Sequence, residues 1–199
     1  MAQIHANNHA EFFKESKMSK KIIVISSSPH KVSNSEILAS EFIKGARSVG
    51  HICEEIKLRD LKYNFCNGCL SCAKTLKCVQ KDDINKALIE KIRTCDIIVF
   101  ATPVYYYAIS GQLKTFIDRL NPLYCSDFQF KEVYLIATAA ENETRTFKGV
   151  KEDIKGFVDC YVGTKLKGTL FVGGLDDGGD VKSKKKALKD AYELGKKVK

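Results

Sequence analysis

From residue 20 onward, short runs of β-branched residues alternate with longer stretches in which apolar positions recur every three or four residues. Ile22-Ile23-Val24-Ile25 has the length and branching of a buried strand. Ser33 with Glu36 three residues on is a capping-box pattern, and Ile37, Leu38, Phe42 and Ile43 mark the inner face of the helix it opens. A second strand is predicted over residues 51–58. Asp82 or Asp83 then caps a helix whose stripe is Ile84, Ala87, Leu88 and Ile92. The third strand falls at residues 96–101. Residues 110–120 carry Leu113, Phe116, Ile117 and Leu120 at helical spacing. A fourth strand at 133–138, a helix with the stripe Phe147, Val150, Ile154, Phe157, Val158 and Tyr161, a fifth strand at 166–173 and a lysine-rich helix complete the pattern.

Strand–helix alternation of this kind gives an α/β fold of three layers, a five-stranded parallel sheet with helices on both faces. Ligands in such folds sit outside the carboxyl ends of the strands, where strand order reverses. The loops after strands one, three and four are therefore the places to look for a site. With 199 residues the chain has the size of one such domain. Residues 1–20 read as a flexible N-terminal arm and 21–199 as the folded domain. Met18 stands just before the first strand as an alternative start.

Composition narrows the function classes. No apolar stretch approaches the roughly 18 residues of a membrane span, and the first residues lack the apolar core of a secretion signal. Eight cysteines without an export signal point to a reducing compartment, the cytoplasm. The net charge of +9 is concentrated at the C-terminus, where residues 182–199 hold eight lysines against Asp190 and Glu193. Those lysines flank the apolar stripe Ala187, Leu188, Ala191 and Tyr192, a pattern of a solvated helix face and not of a nucleic-acid surface.

Three segments carry chemistry. The hydroxyl-rich loop Ser26-Ser27-Ser28-Pro29-His30-Lys31-Val32-Ser33-Asn34-Ser35 runs into a helix N-terminus, where free amides and the positive end of the helix dipole suit a phosphate. It contains no G-x-G-x-x-G and no G-x-x-x-x-G-K-[ST], so a dinucleotide pyrophosphate and nucleotide hydrolysis are poorly matched. The same residues also make an ordinary capped turn. After strand three, Pro103 keeps Thr102 extended and leads into a rigid loop with Tyr105, Tyr106 and Tyr107. These rings offer flat apolar surface to a planar ligand, although Tyr107 is expected to pack. With only four histidines, acid–base catalysis by histidine is thinly supplied, which favours cofactor chemistry.

The third segment is Cys66-x2-Cys69-x2-Cys72-x5-Cys78, in a polar loop between the second strand and its helix. Thiols this close usually serve redox or metal chemistry. Zinc sites of four cysteines come as two separated C-x2-C pairs, whereas an x2-x2 run with a fourth cysteine nearby matches a 4Fe–4S ligand set. A metal-free loop of small thiols and zinc remain the alternatives. Cys53, Cys95, Cys125 and Cys160 are scattered singly.

SSSPHKVSNS, the spaced cysteines followed by VQKDDI, and ATPVYYYAISGQLKTFIDRL together resemble the flavodoxin-like NAD(P)H-dependent FMN reductases, most closely their iron–sulfur flavoprotein branch. The resemblance implies a flavodoxin-like strand order and bound FMN. It places Ser27, Ser28, His30, Ser33, Asn34 and Ser35 at the FMN phosphate. Pro103, Val104, Tyr105 and Tyr106 would lie along the isoalloxazine and ribityl chain, and Thr138, Ala139 and Ala140 at the pyrimidine edge. Where the family usually has arginine after the Ser-Pro, this chain has His30-Lys31, and where it often has glycine after strand four, this chain has Ala139-Ala140. The implied activity is hydride transfer from NAD(P)H through the flavin to a quinone, flavin, nitro or azo compound, or to a carrier protein, with no catalytic side chain. Cys66, Cys69, Cys72 and Cys78 would be the ligands of any cluster. The alternatives are an iron–sulfur/FMN electron-transfer protein without NAD(P)H turnover and a non-catalytic flavodoxin-like scaffold. A homodimer or homotetramer is expected, because a flavin pocket at a sheet edge leaves apolar surface for a second copy to cover.

Overall fold

The computed structural model describes residues 19–199. The expected arm therefore lies almost wholly outside the described residues. Five parallel strands, β1 (Lys21–Ser26), β2 (Ile52–Lys57), β3 (Ile97–Tyr105), β5 (Glu132–Thr138) and β6 (Lys165–Val172), form the sheet in the order β2-β1-β3-β5-β6. This is the flavodoxin order, and it reverses between β1 and β3. A two-residue strand, β4 (Ala108–Ile109), turns back antiparallel onto the end of β3.

The period-two alternation of a strand sorts the apolar residues of the central strands into two cores. Ile22 and Val24 pack with Ile97, Val99, Tyr134 and Ile136 beneath α1 (Asn34–Ser48) and α7 (Lys185–Lys196). Ile23 and Ile25 pack with Ile98, Phe100, Val133 and Leu135 on the opposite face, beneath α3 (Ile89–Arg93), α4 (Gly111–Arg119) and α6 (Lys148–Asp159). β1 and β3 are buried on both faces, so they read as unbroken apolar runs. The edge strands β2 and β6 are only half buried.

On the first face, α1 and α7 touch backbone to backbone. A Cβ at Gly45 would lie 1.9 Å from the Tyr192 carbonyl oxygen, and one at Gly195 would lie 2.0 Å from that of Phe42. The lysines of α7 project outward while Ala191 and Gly195 are buried, as the amphipathic pattern requires.

The structure departs from the sequence expectations locally. The helix expected after Asp82 opens as a π-helical turn (Ile84–Leu88) before α3, with Asp82 Oδ1 accepting from the Asn85 amide at 3.2 Å. The cysteine segment is not all loop, since Ser71–Thr75 forms the short helix α2. Strand three does not end in a loop at Pro103 but continues to Tyr105 and pairs with β4. A single turn, α5 (Asn121–Tyr124), with Pro122 in its first turn, follows α4. Among the described residues no helix is long and apolar enough to cross a membrane.

Candidate active site

The carboxyl ends of β1, β3 and β5 bring the three expected segments side by side. Ser33 caps α1, its Oγ accepting from the Glu36 amide at 3.4 Å, and it lies 3.1 Å from the Ser35 hydroxyl. Ser33 caps the Glu36 amide, and the amides of Asn34 and Ser35 before it, in the first turn of a 15-residue helix, have no intrahelical carbonyl to meet at its positive end. Ser28 is buried and accepts from the His30 amide at 3.3 Å, while His30 and Lys31 are exposed at the rim. The acidic residue in this first turn, Glu36, is turned away into an ion-pair group with Arg59 and Lys57. Burial raises its pKa, but the hydrogen bonds from Arg59 and Lys57 outweigh burial and hold the carboxyl below its ordinary value. Its charge is therefore neutralised beside the anion cradle.

Two of the six expected phosphate residues are occupied by the framework. Ser27 Oγ donates to the Ala101 carbonyl at 3.1 Å and accepts from Ser110 Oγ at 3.0 Å, stitching β1 to β3 and to the start of α4. The Asn34 side chain donates to the Asp177 carbonyl at 2.8 Å and accepts from the amides of Gly179 and Val181, anchoring the loop after β6. The side chains that remain at the cradle are Ser28, His30, Ser33 and Ser35.

Beside the cradle stands the β3–β4 hairpin, in which Val104 pairs with Ile109 and Tyr105 with Ala108. Its two-residue turn, Tyr106-Tyr107, has φ of 49° and 62°, the left-handed conformation that hairpins usually give to Asn-Gly. Tyrosine holds it because the surroundings fix both ends. The Tyr107 carbonyl packs where a Cβ at Gly149 would come within 2.1 Å, and Asp153 accepts from the Ile109 amide at 3.1 Å. Tyr106 is fully exposed at the tip and Tyr105 is 38% exposed. Tyr107 does not pack inward as expected; it is 43% exposed, and its hydroxyl donates to Glu141 while Arg145 covers its ring.

At the end of β5, Thr138 and Ala139 are buried and Ala140 is exposed. The loop is tied to the segment after β6, where Ala139 and Ala140 accept from the amides of Leu175 and Gly174 at 3.1 and 2.8 Å. Glycine is needed here in the segment after β6. A Cβ at Gly173, just after β6, would lie 2.2 Å from the Glu141 carbonyl oxygen, so the two loops meet there backbone to backbone.

Cys66, Cys69, Cys72 and Cys78 line one cavity of about 540 Å³, walled on the other side by Ile109, Ile117, Phe157 and Tyr161. Three of the four sulfurs meet a donor. Gly68 N–H approaches Cys66 Sγ at 3.5 Å, Asn121 Nδ2 donates to Cys72 Sγ at 2.9 Å, and Arg119 Nη2 to Cys78 Sγ at 3.4 Å. Hydrogen bonds from the Ser71 hydroxyl and amide hold the Cys69 thiol below its ordinary pKa. The run bends through left-handed residues at Gly68, Leu70 and Leu76. Among the described residues, no three His, Cys, Asp or Glu side chains are grouped as ligands of a single metal ion. A zinc ion about 2.3 Å from every sulfur would need a tighter group than this one.

Arg119 was not singled out from the sequence as a functional residue. Its side chain is fully buried, with Nη1 2.5 Å from Asp82 Oδ2 and Nη2 3.0 Å from Asp82 Oδ1, and it donates to the Asn64 carbonyl and to Gln80. It thus fastens both ends of the cysteine segment to α4. Its Nε is a buried side-chain nitrogen without a hydrogen-bond partner among the described residues. The available signal was positional: Arg119 lies three residues after Phe116 and beside Leu120, on the stripe that faces the core.

Comparison with known proteins places this site in a family. The family model for NADPH-dependent FMN reductase matches residues 20–146. An iron–sulfur flavoprotein of Methanocaldococcus jannaschii is 32% identical over 186 residues, covering 89% of this chain and 95% of that protein. One from Archaeoglobus fulgidus is 36% identical over 104 residues, covering 51% of this chain; that match spans only 46% of the relative's length. Among solved structures, an NAD(P)H:quinone oxidoreductase from Methanothermobacter marburgensis superposes with a TM-score of 0.68, at 17% identity, covering 90% of this chain and 96% of that one; at this identity it speaks for the fold alone. With the parallel sheet in flavodoxin order and the match running through the serine-rich loop after β1, the cysteine run and the β3–β4 hairpin, the chain belongs to the NADPH-dependent FMN reductase family.

Proposed function

We propose that the chain is an FMN-dependent oxidoreductase that takes hydride from NAD(P)H and passes electrons to a small acceptor (a quinone, a flavin, a nitro or azo compound) or to a carrier protein. The observation that carries this reading is the cradle at the N-terminus of α1. First-turn amides without intrahelical partners, three serine hydroxyls and a neutralised Glu36 stand at the strand-order reversal of a chain in this family. These residues fit one phosphate.

FMN, when bound, supplies hydride acceptance and the release of electrons in ones or twos. The chain's residues do the rest. The amides of Asn34 and Ser35, with Ser28, Ser33, Ser35 and His30, hold the phosphate. Pro103, Val104, Tyr105 and Tyr106 flank the ring system and exclude water from one side of it. Thr138, Ala139 and Ala140 would lie at its pyrimidine edge. No side chain need act as a nucleophile or base, which agrees with the absence of any histidine other than His30 among the expected site residues.

Purified chain should release FMN on heating, identified by chromatography, and NADH or NADPH should bleach its flavin absorbance. Release of FAD, or failure to bind added FMN, overturns the proposal. The exposed aromatic hairpin and the apolar Phe65, Leu70 and Val79 of the cysteine segment support assembly as a homodimer or homotetramer. A monomer by light scattering with full FMN occupancy would remove that part.

A second reading is favoured by the sulfurs. Donors on three of the four thiols lining one cavity suit anionic sulfur ligands, and with the x2-x2-x5 spacing they support a 4Fe–4S cluster on Cys66, Cys69, Cys72 and Cys78. Such a cluster would make the chain an iron–sulfur/FMN electron carrier. Iron and sulfide analysis after anaerobic purification separates it from a plain FMN reductase, which would hold neither.

A further inference from the structure

Arg119 closes the stretch that most specifically resembles the family and Asn121 follows it by two residues, yet neither phosphate binding nor ring stacking uses them. The structure gives two of them a task in common. Arg119 Nη2 donates to Cys78 Sγ at 3.4 Å and Asn121 Nδ2 donates to Cys72 Sγ at 2.9 Å, both from the wall opposite the cysteine segment. Their spacing follows from the local fold. Arg119 ends α4 on its core-facing stripe, Leu120 turns the chain, and Asn121 opens α5 toward the same cavity.

We infer that Arg119 and Asn121 are positioning residues for an iron–sulfur cluster, hydrogen-bonding two of its four ligand sulfurs; the inference rests on the cluster reading above. Three features make it specific. Arg119 reaches the sulfur with a guanidinium whose other contacts are to Asp82, Gln80 and the Asn64 carbonyl, so both ends of the cysteine segment and one of its sulfurs share one cation. The ion pair with Asp82 holds the guanidinium in place, so its remaining N–H is aimed at Cys78 Sγ at little further cost in side-chain freedom. Hydrogen bonds to the sulfurs are also a principal lever on the potential of such a cluster. They stabilise the reduced, more negative state, so their removal moves the potential downward. Partners of this kind typically change metal retention by about 10–100-fold when removed.

The test uses the full chain, reconstituted anaerobically with iron and sulfide, as wild type and as the Asn121→Ala, Arg119→Lys and Lys114→Ala variants. Lys114 lines the same cavity but pairs with Asp118 and touches no sulfur, so it serves as the control. The readouts are the rate of iron loss to a chelator, the cluster's reduction potential, the FMN content and the melting temperature. Asn121→Ala should lose iron about tenfold faster and shift the potential to a more negative value, with FMN content and melting unchanged. Arg119→Lys should do the same more strongly, because lysine keeps the charge but loses the planar fork. Lys114→Ala should match wild type. Wild-type retention and potential in Asn121→Ala overturn the inference even if Arg119→Lys fails to fold. A wild-type chain that retains no iron overturns the cluster reading, and the inference with it.

Discussion

The Tyr107 hydroxyl lies 3.0 Å from Glu141 Oε1 and 3.2 Å from Oε2, joining the β3–β4 hairpin to the loop after β5. Those are the two segments expected to flank the flavin ring, and Thr146 also donates to the same carboxylate at 2.9 Å. Tyr107→Phe should weaken FMN binding about tenfold, or about 1.4 kcal/mol. Glu141→Gln should do less, since its amide oxygen still accepts. FMN titration followed by fluorescence checks the order. Melting temperature should hold, because both groups are largely exposed.

The phosphate loop separates framework from cradle. Asn34→Ala removes three hydrogen bonds to the loop after β6 and should lower unfolding stability by about 2 kcal/mol. Ser27→Ala should act in the same sense, by loosening β1 from Ser110. His30→Ala should leave stability alone and weaken FMN several-fold, since His30 is exposed beside the helix N-terminus. Urea unfolding and FMN titration on the same three variants separate the two roles.

Gly195→Ala puts a methyl group into the Phe42 carbonyl across the α1–α7 contact. Alanine normally favours a helix, yet here it should destabilise by about 1–3 kcal/mol. Chemical denaturation should show it.

The ion pair of Asp82 with Arg119 gives the cysteine segment an acid limit. Burial raises the Asp82 pKa, but the Arg119 hydrogen bond and the amides of Asn85 and Asn64 outweigh burial and hold it below its ordinary value. A carboxyl depressed in the folded state contributes fully above its unfolded pKa of about 3.9 and loses that contribution as pH falls through the folded value. Melting temperatures of wild type and Asp82→Asn should differ by a constant gap between about pH 5 and 7, and the gap should close below about pH 4.

Much of this molecule follows from local pattern. The β-branched runs became β1, β3 and β5 because strands buried on both faces must be apolar throughout. The Ser33 cap, the stripe of α4 and the lysine face of α7 appeared where spacing placed them. What local pattern could not supply was the assignment of polar groups. Ser27 and Asn34 looked identical in kind to Ser28 and Ser35, and only the neighbours, Ser110 and residues 177–181, decided which were consumed. Tyr107 looked like packing because its partner, Glu141, lies 34 residues away.

Taken alone, the sequence determined the alternation of strands and helices, the layered architecture, and the three loops at one end of the sheet. Those depend on periodicity and capping, which act over a few residues. Only the tertiary structure decided which hydroxyls remain for a ligand, that Tyr106-Tyr107 forms a strained hairpin turn, and that Arg119 and Asn121 meet the sulfurs of Cys78 and Cys72. Each of these is a pairing of polar groups far apart in the chain. Burial makes such pairing obligatory, but the sheet topology chooses the partner.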